Sequence, residues 1–478
     1  MSVTINNPQL SSISKDMYLR MDVDYFLIQQ KYDLTHMKKM REYITFLESG
    51  KSIKAEDYEI GTDNIHITVR NIDDSSLNLE NAIYINDDKA DELSKYRLQV
   101  GDIVITISSN CGNSFVYDEE LPFNMTLSHY LCRIRIKNDL LLEKYLILFM
   151  QSSLCKDYFR SVETGKTIKN LAQRYIYDMP IYVPTAKEQL EIINKATPIL
   201  FDISNLKLAK KSISSIVDKT FEEYFKYNYA KFDSLKEKMF YSSFLQCGNN
   251  VDARFSAKFQ RPTGEFVYHE LLNRPNKKIK HCLVLPMITG QGIETTDYDE
   301  SGNYAYVSMA DISSWELDLT DIKYVSNDYA IRKLTKKIKG LKTPVSTEIS
   351  VNDIVMMRSG EGGIGKVAII KDDVKGIFCD FIIRMRFDES VINPEFAYFY
   401  FRSQYFQYLI EINKKGLGNN TNIFPNQVQE FPIPDIPLSE QQKIVNMINT
   451  EIYKQKEIEK QIDEKKNEIE KMIDKILK

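Results

Sequence analysis

The sequence lacks the patterns that place a protein in a membrane, in an oxidising compartment or around a metal ion. No run of about eighteen apolar residues occurs, and residues 1–20 contain no basic segment followed by an apolar core. The six cysteines are widely spaced without a CxxC pair, and the five histidines do not fall at metal-ligand spacing. We therefore expect a cytoplasmic protein with unpaired thiols, without a membrane partner and without a metal site.

Sequence signatures of catalysis are also missing. Residues 360–366 fit the pattern GxxxxGK, but Val367 stands where a phosphate-binding loop has Ser or Thr, so we interpret this run as a glycine-rich turn between strands. No GxSxG nucleophile elbow occurs. The Asn/Asp-Pro-Pro-aromatic tetrapeptide and the glycine-rich cofactor loop of adenine methyltransferases are absent as well. We predict that the chain has no catalytic residues and binds no cofactor itself.

The length and the charge of the chain limit its organisation. A chain of 478 residues predicts at least two domains, because single hydrophobic cores rarely exceed roughly 250–300 residues. A hydrophobic content of 43% and a charged content of 27% are typical of globular proteins. The net charge of −4 argues against a uniformly basic nucleic-acid binder, but it allows local basic faces.

The sequence contains one arrangement of motifs twice. The segment VGDIV at 100–104 matches VNDIV at 351–355, an offset of 251 residues, and Glu-Gln at 188–189 matches Glu-Gln at 440–441, an offset of 252. Short alternating apolar segments, which are typical of strands, lie around the VGDIV motif and around the VNDIV motif. An apolar helical segment follows in each half. So many ordered matches indicate a tandem duplication of a strand-rich domain and a helix.

A long helix is predicted after each strand-rich domain. Apolar residues recur at heptad spacing in both helices, and this spacing is typical of a coiled coil. Pro198 lies inside the first pattern, so that helix either kinks there or straightens only beyond it. For the two seams to meet, the helices have to run antiparallel. The predicted seam residues are Ile192, Ile199, Ile203, Leu206, Ile213 and Val217 in the first helix and Ile444, Ile448, Ile458, Ile462 and Ile469 in the second.

The predicted fold class is therefore α+β, with two tandem strand-rich domains separated by two long helices that form an antiparallel coiled coil. The predicted boundaries are 1–187 for the first strand-rich domain, 188–228 for the central helix, 229–437 for the second strand-rich domain and 438–478 for the C-terminal helix.

These motifs resemble the specificity (S) subunits of type I restriction–modification systems. The VGDIVIT and VNDIVMMRS strands, the PTAKEQLEII and PLSEQQKIV helix starts, and their order along nearly the whole chain carry the resemblance. In that family each strand-rich domain is a target recognition domain that reads one half of a split DNA site. The resemblance implies a non-catalytic subunit that recognises a bipartite, asymmetric target in double-stranded DNA.

The resemblance also implies partners. The long helices of such subunits hold the two readers apart and dock two methyltransferase (modification) subunits, and restriction (motor and nuclease) subunits join that complex. The seam residues of the long helices are therefore candidates for this docking as well. S-adenosylmethionine is expected in the partner methyltransferase, in agreement with the missing cofactor loop in this chain.

Candidate DNA contacts lie in loops that combine basic and amide residues. Arg can pair with guanine and Asn with adenine, Lys mostly neutralises phosphate, and glycine lets a backbone come close to DNA. For each residue alone, an exposed charge without a DNA contact is the competing interpretation. The candidates are Arg70, Asn71, Lys166, Lys169 and Arg174 in the first domain, and Arg358, Gly363, Lys366, Lys414, Lys415, Asn419, Asn420 and Asn422 in the second, besides the basic run 332–339.

Two alternative functions stay open at this point. The chain could be the recognition subunit of a related system in which the partner fuses methylation and cleavage, and the neighbouring reading frames would distinguish this case. It could instead be a non-DNA scaffold in which a coiled coil joins two strand-rich binding modules, which the net acidity favours and the basic loops disfavour. Salt-sensitive binding to duplex DNA with a methyltransferase would exclude the scaffold.

Overall fold

The computed structural model describes residues 28, 30–80, 82–118, 124–165, 168–235, 240–241, 260–312, 314–360, 363–416 and 421–477. The chain divides into two compact units. Unit 1 comprises Met1–Ala209 and Ile458–Lys478, and unit 2 comprises Lys210–Glu457.

Unit 1 contains a series of short strands followed by helices. Its strands are β1 (Lys38–Lys39), β2 (Ile44–Ser49), β3 (Asn64–Ile67), β4 (Ile72–Asp73), β5 (Ser76–Leu77), β6 (Ile83–Tyr84), β7 (Ile103–Thr106), β8 (Ser114–Val116), β9 (Asn124–Leu127), β10 (Leu131–Ile136) and β11 (Pro180–Ile181). Its helices are α1 (Asp87–Glu92), α2 (Glu143–Phe149), α3 (Ser153–Val162), α4 (Gln173–Asp178) and α5 (Ala186–Ala209).

Unit 2 repeats this series. Its strands are β12 (Asn276–Lys278), β13 (Ile288–Thr289), β14 (Tyr304–Val307), β15 (Lys323–Val325), β16 (Thr335–Lys336), β17 (Val345–Ser346), β18 (Ile354–Met357), β19 (Val367–Ile369), β20 (Gly376–Phe378), β21 (Ile382–Met385) and β22 (Pro432–Pro434). The helices that follow α5 are α6 (Ile213–Phe225), α7 (Tyr229–Ser234), α8 (Pro262–Leu272), α9 (Asn327–Lys333), α10 (Pro394–Arg402), α11 (Gln404–Asn413), α12 (Pro425–Val428) and α13 (Leu438–Ile476). The last of these, α13, contributes residues to both units.

The sheets of the two units have the same strand order. A four-stranded sheet has the order β2-β10-β7-β8 in unit 1 and β13-β21-β18-β19 in unit 2. A three-stranded sheet has the order β6-β3-β9 in unit 1 and β15-β14-β20 in unit 2. Its central strand is parallel to the last strand and antiparallel to the first in both units. This repetition confirms the predicted α+β class with two tandem strand-rich domains.

The repeated aspartate of the VGDIV and VNDIV motifs holds the start of β7 in unit 1 and of β18 in unit 2. Asp102 and Asp353 each accept a hydrogen bond of 2.8 Å from the backbone N–H three residues earlier. Each also pairs with an arginine of the neighbouring strand: Arg135 Nε lies 2.5 Å from Asp102, and Arg386 Nε lies 2.7 Å from Asp353. The motif therefore encodes a capped turn and an ion pair rather than a DNA contact.

The repeated glutamine at the start of each long helix connects that helix to its own unit. Gln189 Oε1 accepts from Leu142 N at 2.8 Å, and its Nε2 donates to two backbone carbonyls at 3.0 and 2.8 Å. Gln441 repeats these bonds with Asn393 N at 2.8 Å and two carbonyls at 3.0 and 2.9 Å. Both glutamines are fully buried. Each helix start is thus fixed by three hydrogen bonds from one side chain.

The central helix differs from its prediction as a single helix over 188–228. It is interrupted between α5 and α6, although Pro198 lies inside α5 without ending it. Ser212 caps α6, and Lys211 N donates to the Gln455 side chain at 2.7 Å. Side chains therefore satisfy backbone groups here that a continuous helix would pair internally.

The predicted seam residues lie in the cores of their own units. Buried residues are Ile192, Ile203, Ile462 and Ile469 in unit 1 and Val217, Ile444 and Ile448 in unit 2, while Ile199, Leu206, Ile458 and Ile213 are partly buried against the same cores. In unit 2, Lys211 contacts Gln455 and Tyr224 contacts Glu440, so α6 runs antiparallel to α13. A regular coiled-coil geometry stays a prediction.

Candidate nucleic-acid interface

A short closed loop follows the apolar helices of each strand-rich domain. In unit 1, Thr164 and Asn170 exchange backbone hydrogen bonds of 2.9 and 2.8 Å, and in unit 2 Lys415 and Asn422 do so at 2.8 and 2.7 Å. A glycine with φ of +104° or +114° follows the first residue of each pair. This conformation is easily adopted by glycine, because it has no Cβ.

Each closed loop is hydrogen-bonded to the residue that follows one inner strand of the four-stranded sheet, β7 in unit 1 and β18 in unit 2. Leu171 N donates to Ile107 O at 2.9 Å in unit 1, and Ile423 N donates to Arg358 O at 2.9 Å in unit 2. The segment that begins at Arg358 and the closed loop of unit 2, both of which contain candidate DNA contacts, are therefore neighbours. In unit 1 the equivalent loop lies against the turn between β7 and β8.

Arg358 is the best-positioned candidate in unit 2. Its Nε donates to Asp380 O at 2.7 Å, and its Nη1 lies 3.3 Å from Asn422 Oδ1. The guanidinium carbon is 5.9 Å from the centre of the Phe381 ring and 5.4 Å from that of Phe424. These contacts limit the rotamers of a half-buried arginine and leave the remaining donors of its fork for a partner.

The lysines and asparagines of the closed loop in unit 2 are less defined. Lys414 forms a 2.5 Å ion pair with Glu411, whereas Lys415 is exposed. Asn419 and Asn420 lie outside the described residues. Both lysines stay candidates for a phosphate contact.

Gly363 and Lys366 form a turn. The backbone N–H of Lys366 donates to Gly363 O at 3.0 Å. A Cβ at Gly363 would stand 2.3 Å from Met357 Cε, so the glycine makes room for a core methionine rather than for an approaching DNA backbone. The sequence interpretation of Gly363 therefore needs correction, while Lys366 stays a candidate at the edge of the turn.

Arg70 and Asn71 in unit 1 have different environments. Arg70 is exposed. Asn71 is 1% exposed, its Oδ1 accepts from Thr68 N at 2.9 Å, and its Nδ2 donates to Asn78 O at 3.0 Å. The amide of Asn71 is therefore committed to the turn after β3, and Asn71 is removed from the candidate DNA contacts.

The other candidates of unit 1 lie around the closed loop. Lys169 pairs with Glu163 at 3.3 Å. Arg174 is exposed, its guanidinium carbon lies 4.8 Å from the centre of the Tyr175 ring, and its Nη2 lies 3.0 Å from the Tyr175 hydroxyl. Lys166 lies outside the described residues.

Sequence reasoning missed a cavity in unit 1 that lies between Arg70 and the closed loop. Its volume is about 600 Å³, and both Arg70 and Ile168 of the closed loop line it. The missed lining residues include His66, Ser108, Ser109, Asn110, Ser128, His129 and Tyr130. The structure shows that the tripeptide 128–130 takes the place that 379–381 takes in unit 2, with Leu131 N donating to Ser128 O as Ile382 N donates to Cys379 O.

Two histidines define the polar side of this cavity. His66 is 1% exposed, and its Nδ1 lies 3.0 Å from Thr126 Oγ1. Burial, and then the charge of His129, lower the pKa of His66 to about 4, so its imidazole is neutral at pH 7. His129 Nδ1 lies 2.7 Å from Ser52 Oγ, and its ring centre is 3.7 Å from that of Tyr130.

Equivalent positions of the two units carry different side chains around one backbone. Thr68 N bonds to Asn71 as Ser308 N bonds to Asp311, which places Arg70 opposite Ala310 in the comparison. The turn residue at 129 is histidine and its equivalent at 380 is aspartate. These differences lie at strand ends and turns, where side chains reach outward from a shared scaffold. Such a scaffold is suited to present two different recognition surfaces.

Comparison with known families agrees with this architecture. The family model described as type I restriction modification DNA specificity domain matches residues 37–216 and 284–471. The protein is thus a DNA sequence-specificity subunit, the class of protein that the repeated scaffold indicates. It belongs to the type I restriction–modification specificity family and carries the family's domain twice.

Individual relatives are distant. The chain is 20% identical over 367 residues to the type I restriction enzyme EcoBI specificity subunit of Escherichia coli, covering 73% of this chain and 70% of that protein. The type I S subunit structure from M. genitalium shares 12% identity at a TM-score of 0.37, covering 91% of this chain and 94% of that one. The HsdS subunit structure from Thermoanaerobacter tengcongensis shares 12% identity at a TM-score of 0.31, covering 92% and 95%. Within the described part of the chain, no helix is long and apolar enough to cross a membrane.

Proposed function

We propose that units 1 and 2 read two different half-sites of double-stranded DNA, so that the complete target is bipartite and asymmetric. The observation that carries this proposal is the pair of equivalent turns with different side chains, such as Arg70 against Ala310 and His129 against Asp380. One scaffold with two surfaces recognises two sequences, because direct readout depends on the donors and acceptors that side chains present to base edges.

The chain acts as the recognition subunit of a larger complex and does no chemistry itself. It directs two methyltransferase subunits, which bind S-adenosylmethionine, and restriction subunits to the target. The support is family membership together with an exposed apolar row on α5, formed by Leu190 (51% exposed), Phe201 (65%) and Leu208 (83%). At about 100° per residue these three side chains share one helix face. Seven of the eleven predicted seam residues are buried in the cores of their own units and the other four are partly buried, so the exposed row is the better candidate for the docking face.

Methylation mapping by long-read sequencing tests the recognition proposal. Cells that express this chain with its neighbouring methyltransferase are expected to gain one bipartite adenine-methylated motif with a fixed gap. If both proteins are soluble and associated but no new motif arises, an inactive specificity subunit or the non-DNA scaffold gains support. If one fused partner both methylates and cleaves at the motif, the chain belongs to the related system instead.

Binding to the purified methyltransferase tests the docking face. Phe201→Asp is expected to weaken binding by at least tenfold, because it places a charge in an apolar contact. The matched control is Lys195→Asp, which adds negative charge at an exposed polar position of the same helix, about 120° around the helix from Phe201. Equal loss from both variants would contradict the proposed face.

A further inference from the structure

Reading base edges in a DNA groove does not require a cavity such as the one in unit 1. We propose that it receives one nucleobase that has left the stack of the half-site read by unit 1. This inference rests on the proposed function, because the base comes from DNA that unit 1 contacts. Its volume of about 600 Å³ lies within the roughly 300–1,000 Å³ that is typical of small-molecule sites.

The cavity wall contains buried polar atoms without a hydrogen-bond partner. Within the part of the chain that the structure describes, His66 Nε2 and Ser128 Oγ make no hydrogen bond, and both residues are more than nine-tenths buried. Leaving such groups unpaired costs about 1–3 kcal/mol each, so a water molecule or a ligand group is expected to pair with them. A neutral imidazole nitrogen and a hydroxyl can together pair with the hydrogen-bonding edge of a base.

The remaining lining favours a flat, neutral ligand over a phosphate. Arg70 is the only arginine or lysine that lines the cavity, within the part of the chain that the structure describes. Tyr58 and Tyr130, both exposed, provide aromatic faces, and Ile53 and Ile168 provide apolar contact. Bases stack on such aromatic faces, whereas a buried phosphate would require more positive charge. The lining is therefore suited to a base.

The equivalent place in unit 2 is occupied by the protein itself. Tyr306 in β14 is the equivalent of His66 in β3. His66 pairs with Thr126 and Tyr306 pairs with Ile377, and each partner is the next-to-last residue of the parallel neighbouring strand. The Tyr306 hydroxyl donates to Gln291 O at 2.8 Å. Lys336 Nζ donates to Thr289 O at 2.9 Å and to Gly290 O at 3.0 Å. Neither side chain leaves its polar atoms unpaired.

An insertion in unit 2 delivers this lysine. The offset between equivalent residues grows from 240 (Asn71 to Asp311) to 251 (Leu98 to Ile349), so unit 2 has 11 more residues here. The strands β16 and β17 form within this insertion, and Lys336 belongs to β16. The basic run 332–339 therefore includes a lysine with a structural role, and the open cavity is a property of unit 1.

Mismatched DNA tests the inference with the complete complex of this chain and its methyltransferase. A mismatch that weakens pairing of the extruded base lowers the cost of extrusion, so it should tighten binding several-fold at one position of the unit 1 half-site. The methylated adenine itself is excluded, because methyltransferases extrude their own target base. His66→Tyr, which installs the residue of unit 2, and Ser128→Ala should abolish this tightening. Tyr306→Phe in unit 2 is the matched control and should leave it unchanged.

A second measurement uses 2-aminopurine, whose fluorescence rises when it leaves the stack. The rise is expected at the same position in the wild-type complex and not in the His66→Tyr complex. The inference is overturned if the wild-type complex methylates normally but shows neither tighter binding nor a fluorescence rise at any half-site position other than the methylated adenine. It is also overturned if both cavity variants retain the tighter binding. Competition by free adenosine or thymidine without a DNA signal would also overturn it, since the cavity would then serve a free nucleoside. Absence of methylation in wild type would instead refute the proposed function.

Discussion

Units 1 and 2 agree where hydrogen bonds hold the fold. The aspartates at 102 and 353 cap the same turn and pair with the same strand, and the glutamines at 189 and 441 make the same three bonds. These side chains satisfy backbone groups that would otherwise be buried without partners. Their positions therefore accept few other residues.

The units differ where side chains project from strand ends. His66 is matched by Tyr306, Arg70 by Ala310, and Arg358 by Ile107, the residue that accepts the equivalent loop hydrogen bond. At these positions the backbone bonds are shared, and each unit adds side-chain contacts of its own, such as Tyr306 with Gln291 O and Arg358 with Asp380 O. The comparison teaches that this fold separates its stability from its recognition surface, residue by residue.

The strongest way to break this comparison is to remove the repeated glutamine. Gln189→Leu should destabilise unit 1, and Gln441→Leu should destabilise unit 2, by about 3–5 kcal/mol each, because three buried backbone groups lose their partner. Hydrogen exchange of peptides from each unit would measure the loss separately. Gln442→Leu is the control, since Gln442 is exposed. A large loss from the control, or none from Gln441→Leu, would contradict the framework role.

The sequence was sufficient to predict the duplication, the α+β class and the apolar seams. The repeated Asp and Gln signal their framework roles because both copies need the same bonds, and repetition is visible without a structure. Heptad spacing similarly predicted burial of Val217 and Ile469, because it reflects one helix face.

Other features could not be predicted, because one letter does not show what a polar side chain bonds to. Asn71 has the chemistry to read adenine, yet its amide is used within a turn. The break before α6 depends on Gln455, a residue distant in sequence. His66 has the appearance of an ordinary strand residue, and its cavity forms only when separate turns meet.

Loss of the repeated aspartate should destabilise unit 2 more than unit 1. Asp353→Ala should cost about 3 kcal/mol, because Arg386 loses both of its 2.7 Å hydrogen bonds to Asp353 and Ser350 N loses its acceptor. The fully buried Arg384, whose pKa burial lowers to about 10, also loses the stabilising charge of Asp353. Asp102→Ala should cost about 2 kcal/mol, because the equivalent Arg133 also pairs with Glu48 at 3.1 Å. Hydrogen exchange in each unit gives both values, and the reverse order would show that Glu48 contributes little.

An aspartate on α6 should make the stability of unit 2 depend on pH. Asp218 accepts from Gln404 N at 2.7 Å, and burial raises its pKa from 3.8 to about 6 against the opposing effect of that N–H. The folded state therefore binds the proton more tightly, so the stability of unit 2 should fall as pH rises from about 4 to 6. Asp218→Asn keeps the acceptor oxygen and removes this dependence, which should stabilise unit 2 by about 2 kcal/mol at pH 7.

The control for this pH dependence lies in unit 1. Asp474 accepts from Ser153 N at 2.9 Å in a half-buried position. Asp474→Asn should therefore bring no comparable gain at pH 7. Thermal unfolding of both variants between pH 4 and pH 7 measures the difference, and an unchanged pH profile for Asp218→Asn would exclude Asp218 as its origin.

The smallest expected effect concerns recognition and leaves stability intact. Arg358→Ala should lower the methylation rate at the unit 2 half-site by about 10–100-fold, as expected for loss of 1–3 kcal/mol of base contact, and should relax base preference there alone. Arg70→Ala should act only on the half-site of unit 1. Methylation mapping of both variants measures each half-site independently.

Arg358→Lys separates a base contact from a phosphate contact at this position. Lysine keeps the charge but cannot reproduce the arginine fork, which Asp380 and Asn422 hold in place. If Arg358 reads a base, the lysine variant should lose sequence preference almost as fully as the alanine variant. If it contacts phosphate, lysine should restore binding, and the alanine variant should weaken all sequences equally with a smaller salt dependence. Because Ile107 occupies the equivalent place in unit 1, only the first outcome would make this difference between the units a difference in sequence recognition.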